Sequence, residues 1–168
     1  MSNIILIGFM GCGKSTIGKR LSYAFRKPFL DTDKIIEKKA DMTISELFER
    51  KGEEYFRDME TACIKELIKD TGEYIIAAGG GLALRSENRR LLKELGRVIY
   101  LRAMPDTIYE RLKKDSTRPL LQGNNPREKI RTMMGERATV YEEAAQIIVD
   151  VDGKDFEEIV KEIGEKVL

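Results

Sequence analysis

The chain has 168 residues, 42% of them hydrophobic and 35% charged, with a formal net charge of +1. That length suits one domain with a proper core, and the balance excludes disorder and any field that draws in nucleic acid or a membrane. Histidine is absent throughout, which rules out Ser-His-Asp chemistry and histidine metal sites and leaves any general base to a carboxylate or another group.

Asn3–Ile7 is a short apolar, β-branched run that reads as a buried parallel strand. Residues 8–16, Gly-Phe-Met-Gly-Cys-Gly-Lys-Ser-Thr, match G-x-x-x-x-G-K-[ST]. Ile17, Leu21, Ala24 and Phe25 then recur at helical spacing over Lys14–Phe25. The order is therefore strand, glycine loop, helix. Gly8, Gly11 and Gly13 let successive N–H groups point into one concavity, and the helix start adds unpaired amides and its positive dipole end. Lys14 can reach the terminal phosphates and the Ser15 hydroxyl can enter a Mg²⁺ shell, so Gly11, Cys12, Gly13, Lys14, Ser15 and Thr16 form the expected nucleotide-binding loop.

Pro28, Phe29 and Leu30 lead into Asp31-Thr32-Asp33, expected as a brief second strand ending in two acidic residues. Thr43-Ile-Ser-Glu46 is a capping-box pattern that opens a short helix stopped at Gly52. Residues 53–70 read as a longer helix with Phe56, Met59, Cys63 and Leu67 inward. Residues 74–78 form a third strand, followed at once by Gly79, Gly80 and Gly81. Ser86–Leu95 is helical and residues 97–101 make the fourth strand. Pro105 opens a helix carrying Ile108 and Leu112, with Lys113 and Lys114 in its last turn. Residues 116–125 read as a loop, Pro126 starts a helix running to about Ala145, residues 147–149 are a fifth strand and residues 156–168 a closing helix. There is no internal repeat, low-complexity tract or interdomain linker. Such alternation implies a parallel sheet covered on both faces, with its ligand beyond the carboxyl ends of the strands.

Several residues at those ends carry chemistry. Asp31 and Asp33 share strand parity, which would let one serve Mg²⁺ while the other orients or deprotonates a hydroxyl; helix capping by Asp33 beside a solvated Asp31 is the alternative. Arg57 stands among aromatics with Glu60 one turn on, either a braced anion receptor or an exposed ion pair. Arg137 falls on the apolar stripe of Ile130, Met133, Met134, Ala138 and Tyr141, where it must find an anionic partner or extend to the surface. Arg118 lies in the 116–125 loop, suited to a segment that closes over a γ-phosphate. The triple glycine allows either a tight turn or exposed backbone amides. Cys12 is either a thiol that could block the loop or a small residue that fits there.

Together these motifs resemble the shikimate kinase family, in order and spacing from the P-loop to the fifth strand. The resemblance implies a three-layer αβα fold of the nucleoside-monophosphate-kinase type, its five parallel strands ordered 2-3-1-4-5. It also implies one kinase domain with a substrate-binding insertion at about residues 33–61 and a lid at about residues 115–125. The implied reaction moves the ATP γ-phosphate to the 3-hydroxyl of shikimate, on the way to chorismate and aromatic amino acids. By similarity Asp33 meets the ring hydroxyls, and Arg57, Arg137, Gly79, Gly80 and Gly81 hold shikimate. Phe48 and Phe56 wall the acceptor pocket and Glu60 supports Arg57. Ser15 and Asp31 serve Mg²⁺, Lys14 and Arg118 assist transfer, and Arg111 stacks on adenine. Family members often set a proline against the adenine after the last strand, and residues 151–156 have none.

Two cysteines, Cys12 and Cys63, make no disulfide framework; with no apolar run of membrane length and no visible signal peptide, a cytoplasmic location is expected. A monomer working on ATP and shikimate, without nucleic-acid or membrane partners, is the expectation. The competing readings are a gluconate or nucleotide kinase on the same fold and a binding module switched by nucleotide.

Overall fold

A computed structural model describes residues 3–114 and 123–168. Strands β1 (Asn3–Ile7), β2 (Phe29–Asp31), β3 (Ile75–Ala77), β4 (Gly96–Arg102) and β5 (Ile147–Asp150) form one parallel sheet in the order β2-β3-β1-β4-β5. That is the order expected. β1 is central and buried along its whole length, which is why its sequence is a continuous apolar run and not an alternating one.

The helices are α1 (Lys14–Phe25), α2 (Thr32–Ala40), α3 (Ile44–Lys51), α4 (Glu53–Lys69), α5 (Ser86–Leu95), α6 (Pro105–Leu112), α7 (Pro126–Ala144) and α8 (Phe156–Val167). α1 packs on β1, β2, β3 and α8, while α4, α5 and α7 pack together and, through α5 and α7, on β4. Ile17 and Leu21 of α1 are fully buried; cutting either back to alanine costs about 2–5 kcal/mol. α2 and α3 lie against α4. Thr43 caps α3 by accepting the Glu46 N–H at 3.1 Å, as its sequence pattern requires.

One expectation fails here. Asp31 and Asp33 do not end a common strand: β2 stops at Asp31, and a helix missing from the sequence reading, α2, begins at Thr32. The cap is Asp31, whose Oδ1 accepts the Asp33 N–H at 2.9 Å, so capping by Asp33 is wrong as well. Ile36 supplies the buried face of α2, with lysines and acids on the rest, and the short apolar signal was overlooked among them. Of the expected 116–125 loop, residues 116–122, Arg118 among them, lie outside the described residues.

Candidate active site

β1, β2 and β3 all end at one cleft of about 810 Å³. Gly11, Gly13, Lys14, Ser15, Thr16, Asp31, Asp33, Gly79, Gly80 and Arg111 line it, so ten expected site residues meet in one place. Gly8, Gly11 and Gly13 have φ of 150°, 82° and 103°, angles that side chains rarely adopt. Gly13 starts α1 without a side-chain cap, and no acid stands in the first turn. The first amides of α1 and its dipole therefore stay available to an anion. Lys14 Nζ rests on the loop, 2.6 Å from Gly8 O and 3.2 Å from Phe9 O. Cys12 is 1% exposed, with Sγ 3.9 Å from Lys14 Nζ, and it is the small packing residue of the two alternatives.

The acids stand across from the loop. Burial first, and then the neighbouring Asp31 charge, hold the Asp33 carboxyl above its ordinary range, while Lys14 pulls the other way. Asp31 spends Oδ1 on its cap, and Asp31 and Ser15 line the same cleft. One carboxylate, a serine hydroxyl and ligand phosphates are the donor set that Mg²⁺ accepts, and two crowded carboxylates are relieved by a cation. The residues fit that ion.

The glycine turn after β3 answers the ambiguity left by its sequence. None of Gly79, Gly80 and Gly81 has a positive φ, so they are not glycines for conformational freedom. Gly79 and Gly81 are there for space, whereas a Cβ on Gly80 would meet only ordinary contacts at 3.7 Å and beyond. A Cβ on Gly79 would sit 2.5 Å from Asp33 Oδ1, and one on Gly81 would sit 2.5 Å from Arg57 Nη1. The Gly79 N–H is taken by Thr32 Oγ1 at 2.9 Å, which leaves the amides of Gly80 and Gly81 without a partner among the described residues.

Arg57 is no exposed ion pair. Its side chain is 13% exposed and donates from Nη1 to Glu60 Oε1 at 2.8 Å, while the Glu60 side chain is 1% exposed. Burial pushes the Glu60 carboxyl up to about 7 against the pull of Arg57, and its Oε2 has no partner among the described residues. The guanidinium also lies over the rings of Phe56 and Phe48, at 5.4 and 6.0 Å, and those rings pack 4.9 Å apart. Arg137 has no carboxylate partner among the described residues. It lies over the Phe9 ring at 5.6 Å and beside Gly80, near the Tyr141 hydroxyl that donates to Gly80 O at 2.6 Å. Burial pushes the Tyr141 hydroxyl up to about 12, so it remains a donor. Two guanidiniums thus flank one glycine turn, with Asp33 against the turn and the phosphate loop beyond it.

At the far end Arg111 Nη1 donates to Gly11 O at 3.1 Å, and its guanidinium lies 5.9 Å from the Phe156 ring. Phe156 lines the cleft, with Arg20 on the ring as well at 5.4 Å. Sequence reasoning passed over Phe156, although the pattern Asp155-x-x-Glu158 carries the signal. Asp155 caps α8 through the Glu158 N–H at 2.8 Å, which sets Phe156 at the helix start facing the cleft. Lys34 and Glu37 of α2 also line the wall and were missed because α2 was, while Ile44 and Ser45 come from the start of the expected helix α3.

A family model described as shikimate kinase matches residues 10–168. The chain is 45% identical to a shikimate kinase of Thioalkalivibrio sulfidiphilus, over 96% of this chain and 85% of that protein. It is 44% identical to one from Dictyoglomus turgidum, covering 98% of this chain and 96% of the relative. The solved shikimate kinase from Acinetobacter baumannii in complex with shikimate superposes with a TM-score of 0.91, at 35% identity over 99% of this chain and 93% of that one. Loop, acid pair, glycine turn and guanidiniums stand in the order expected of that family, and this chain belongs to it: it is a member of the shikimate kinases, ATP-dependent phosphotransferases.

Proposed function

We propose that the chain transfers the γ-phosphate of ATP to the 3-hydroxyl of shikimate, giving shikimate 3-phosphate and ADP. The observation that carries this is the pairing of Arg57, braced by buried Glu60, with Arg137, which has no carboxylate partner among the described residues, around one glycine turn. Two such cations suit a small acceptor bearing a single carboxylate. Asp33 beside them suits its hydroxyls.

In this reading Asp33 orients the attacking hydroxyl and takes its proton, a task helped by burial and by Asp31, which raise its proton affinity. The hydroxyl oxygen forms the new bond to the γ-phosphorus as the bond to the β-bridging oxygen breaks, and ADP leaves with that electron pair. The amides of Gly11, Gly13 and Ser15, with Lys14, hold the phosphates and take up charge as it spreads. Ser15 and Asp31 would hold Mg²⁺, which when bound neutralises the phosphates and orients them. Arg118 would close over the γ-phosphate from a lid at about residues 115–125, and residues at about 33–61 would form the acceptor-binding insertion. Arg111 and Phe156 offer a flat cationic and aromatic wall for adenine. A cytoplasmic site of action agrees with two buried cysteines that form no disulfide.

The deciding experiment measures ADP release under Mg-ATP with shikimate, gluconate and nucleoside monophosphates as separate acceptors. Shikimate alone should stimulate release. Consumption of gluconate or a nucleotide in its place would overturn the acceptor assignment.

A further inference from the structure

The first turn of α5 lines no part of the cleft, yet three elements of the proposed acceptor site are fastened to it. Asn88 is fully buried. Its Nδ2 donates to Leu82 O at 2.9 Å, which fixes the amide so that Oδ1 faces Thr61, whose hydroxyl donates to it at 2.7 Å. Leu82 opens the 3-10 turn directly after Gly81, and Thr61 stands one helical turn from Arg57 on α4, its hydroxyl 3.2 Å from the Arg57 carbonyl. One amide therefore bridges the backbone of the glycine turn to the helix turn that carries the guanidinium. Arg85 reinforces the bridge: Nη1 lies 2.8 Å from Asp58, Nη2 2.9 Å from Glu54, and Nη1 donates to Thr61 Oγ1 at 3.3 Å. Arg89 extends it, donating to Ala83 O and Leu84 O at 2.8 and 2.9 Å while Nε lies 3.4 Å from Glu143 on α7, the helix of Arg137.

We infer that Asn88 is a positioning residue for the acceptor, setting the separation between the Arg57 guanidinium and the amides of the glycine turn. This rests on the acceptor site proposed above. The physical reason lies in tolerance. A carboxylate gripped from two sides binds well only if the grips hold their spacing to about half an ångström, and α4 and the glycine turn are far apart in the chain. A buried amide satisfied at both ends supplies that rigidity, because any slip leaves a buried polar group unpaired. The Arg57 guanidinium lies so close to Gly81 that a Cβ there would have to displace it.

The test is steady-state kinetics on the full chain, varying ATP and shikimate in turn, with thermal unfolding recorded for each variant. Asn88→Leu keeps the branched shape of the side chain and removes both of its hydrogen bonds; Thr61→Val removes the hydroxyl that donates to Asn88 and accepts from Arg85; Thr61→Ser keeps it. The expected result is a rise in the shikimate KM of about tenfold in Asn88→Leu and about threefold in Thr61→Val. The ATP KM and kcat should stay within about twofold, and Thr61→Ser should resemble wild type. Equal shikimate KM values in Thr61→Val and Thr61→Ser overturn the inference even if Asn88→Leu does not fold. So does a parallel loss in kcat and both KM values, the mark of a merely structural residue. Arg57→Ala separates the two levels: if it raises the shikimate KM while the Asn88 and Thr61 variants do not, only the positioning role falls. An unmoved KM in Arg57→Ala removes the acceptor site itself.

Discussion

In the function proposed above, the groups that would meet the phosphates are main-chain amides from one unbroken stretch, residues 8–16. Those that would meet the acceptor come from separate elements: Asp33 on α2, Arg57 on α4, Arg137 on α7 and the amides of the glycine turn after β3. The contrast follows from the ligands. Phosphate oxygens are satisfied by any well-directed N–H, so local backbone geometry is enough. A carboxylated ring alcohol must be told from other small alcohols, and that takes charges and a base at fixed separations, which only the assembled fold supplies.

Breaking the phosphate end should have the largest effect. Lys14→Met removes the ammonium that rests on the loop, and kcat should fall by roughly 10³-fold or more in a coupled ADP assay. Asp33→Asn comes next, with kcat down by about 10²–10³-fold and ATP affinity close to wild type, since the role proposed for the carboxyl is on the acceptor. A fully active Asp33→Asn enzyme would mean that another group orients the hydroxyl. Arg57→Ala and Arg137→Ala should each weaken acceptor binding by about 2–5 kcal/mol with ATP binding retained, as titration calorimetry can show. Acceptor affinity unchanged in both would erase the distinction between the two ends.

The smallest effect is in stability. The Glu60 carboxyl is raised from 4.5 to about 7 in the folded chain. A raised carboxyl means that the folded state holds the proton more tightly, so Glu60 contributes most below pH 4.5 and loses that contribution as pH rises through about 7. Glu60→Gln lacks this slope. The stability of wild type relative to Glu60→Gln should therefore fall by about 2–3 kcal/mol between pH 4.5 and pH 8 in denaturant melts. A flat difference would mean that the Arg57 pairing keeps the carboxylate ionised throughout.

The same contrast sets how much could be read beforehand. The loop was legible because its signal is contiguous, the strands were legible as apolar runs, and their order came from the family resemblance alone. Arg57 and Arg137 could be singled out only as charges in awkward places. Spacing along the chain cannot say that both reach one glycine turn, since that depends on the packing of α4, α5 and α7. Asp31 and Asp33 were given the wrong geometry because a strand of three residues is too short for parity to hold against a helix start. Phe156 and Asn88 stayed hidden for different reasons. Phe156 is one aromatic among core-like residues of α8, and Asn88 is a buried amide whose importance lies wholly in what it connects.

Asp31 holds two posts at once: Oδ1 fastens the start of α2 while the carboxylate faces the cleft. Alanine there would unravel a helix start, costing about 0.5–2 kcal/mol, and take one negative charge from the cleft in one stroke. Asparagine keeps the carbonyl oxygen that grips the Asp33 amide and deletes only the negative charge. The gap between those two variants is thus a built-in partition of architecture from electrostatics, available at a single codon.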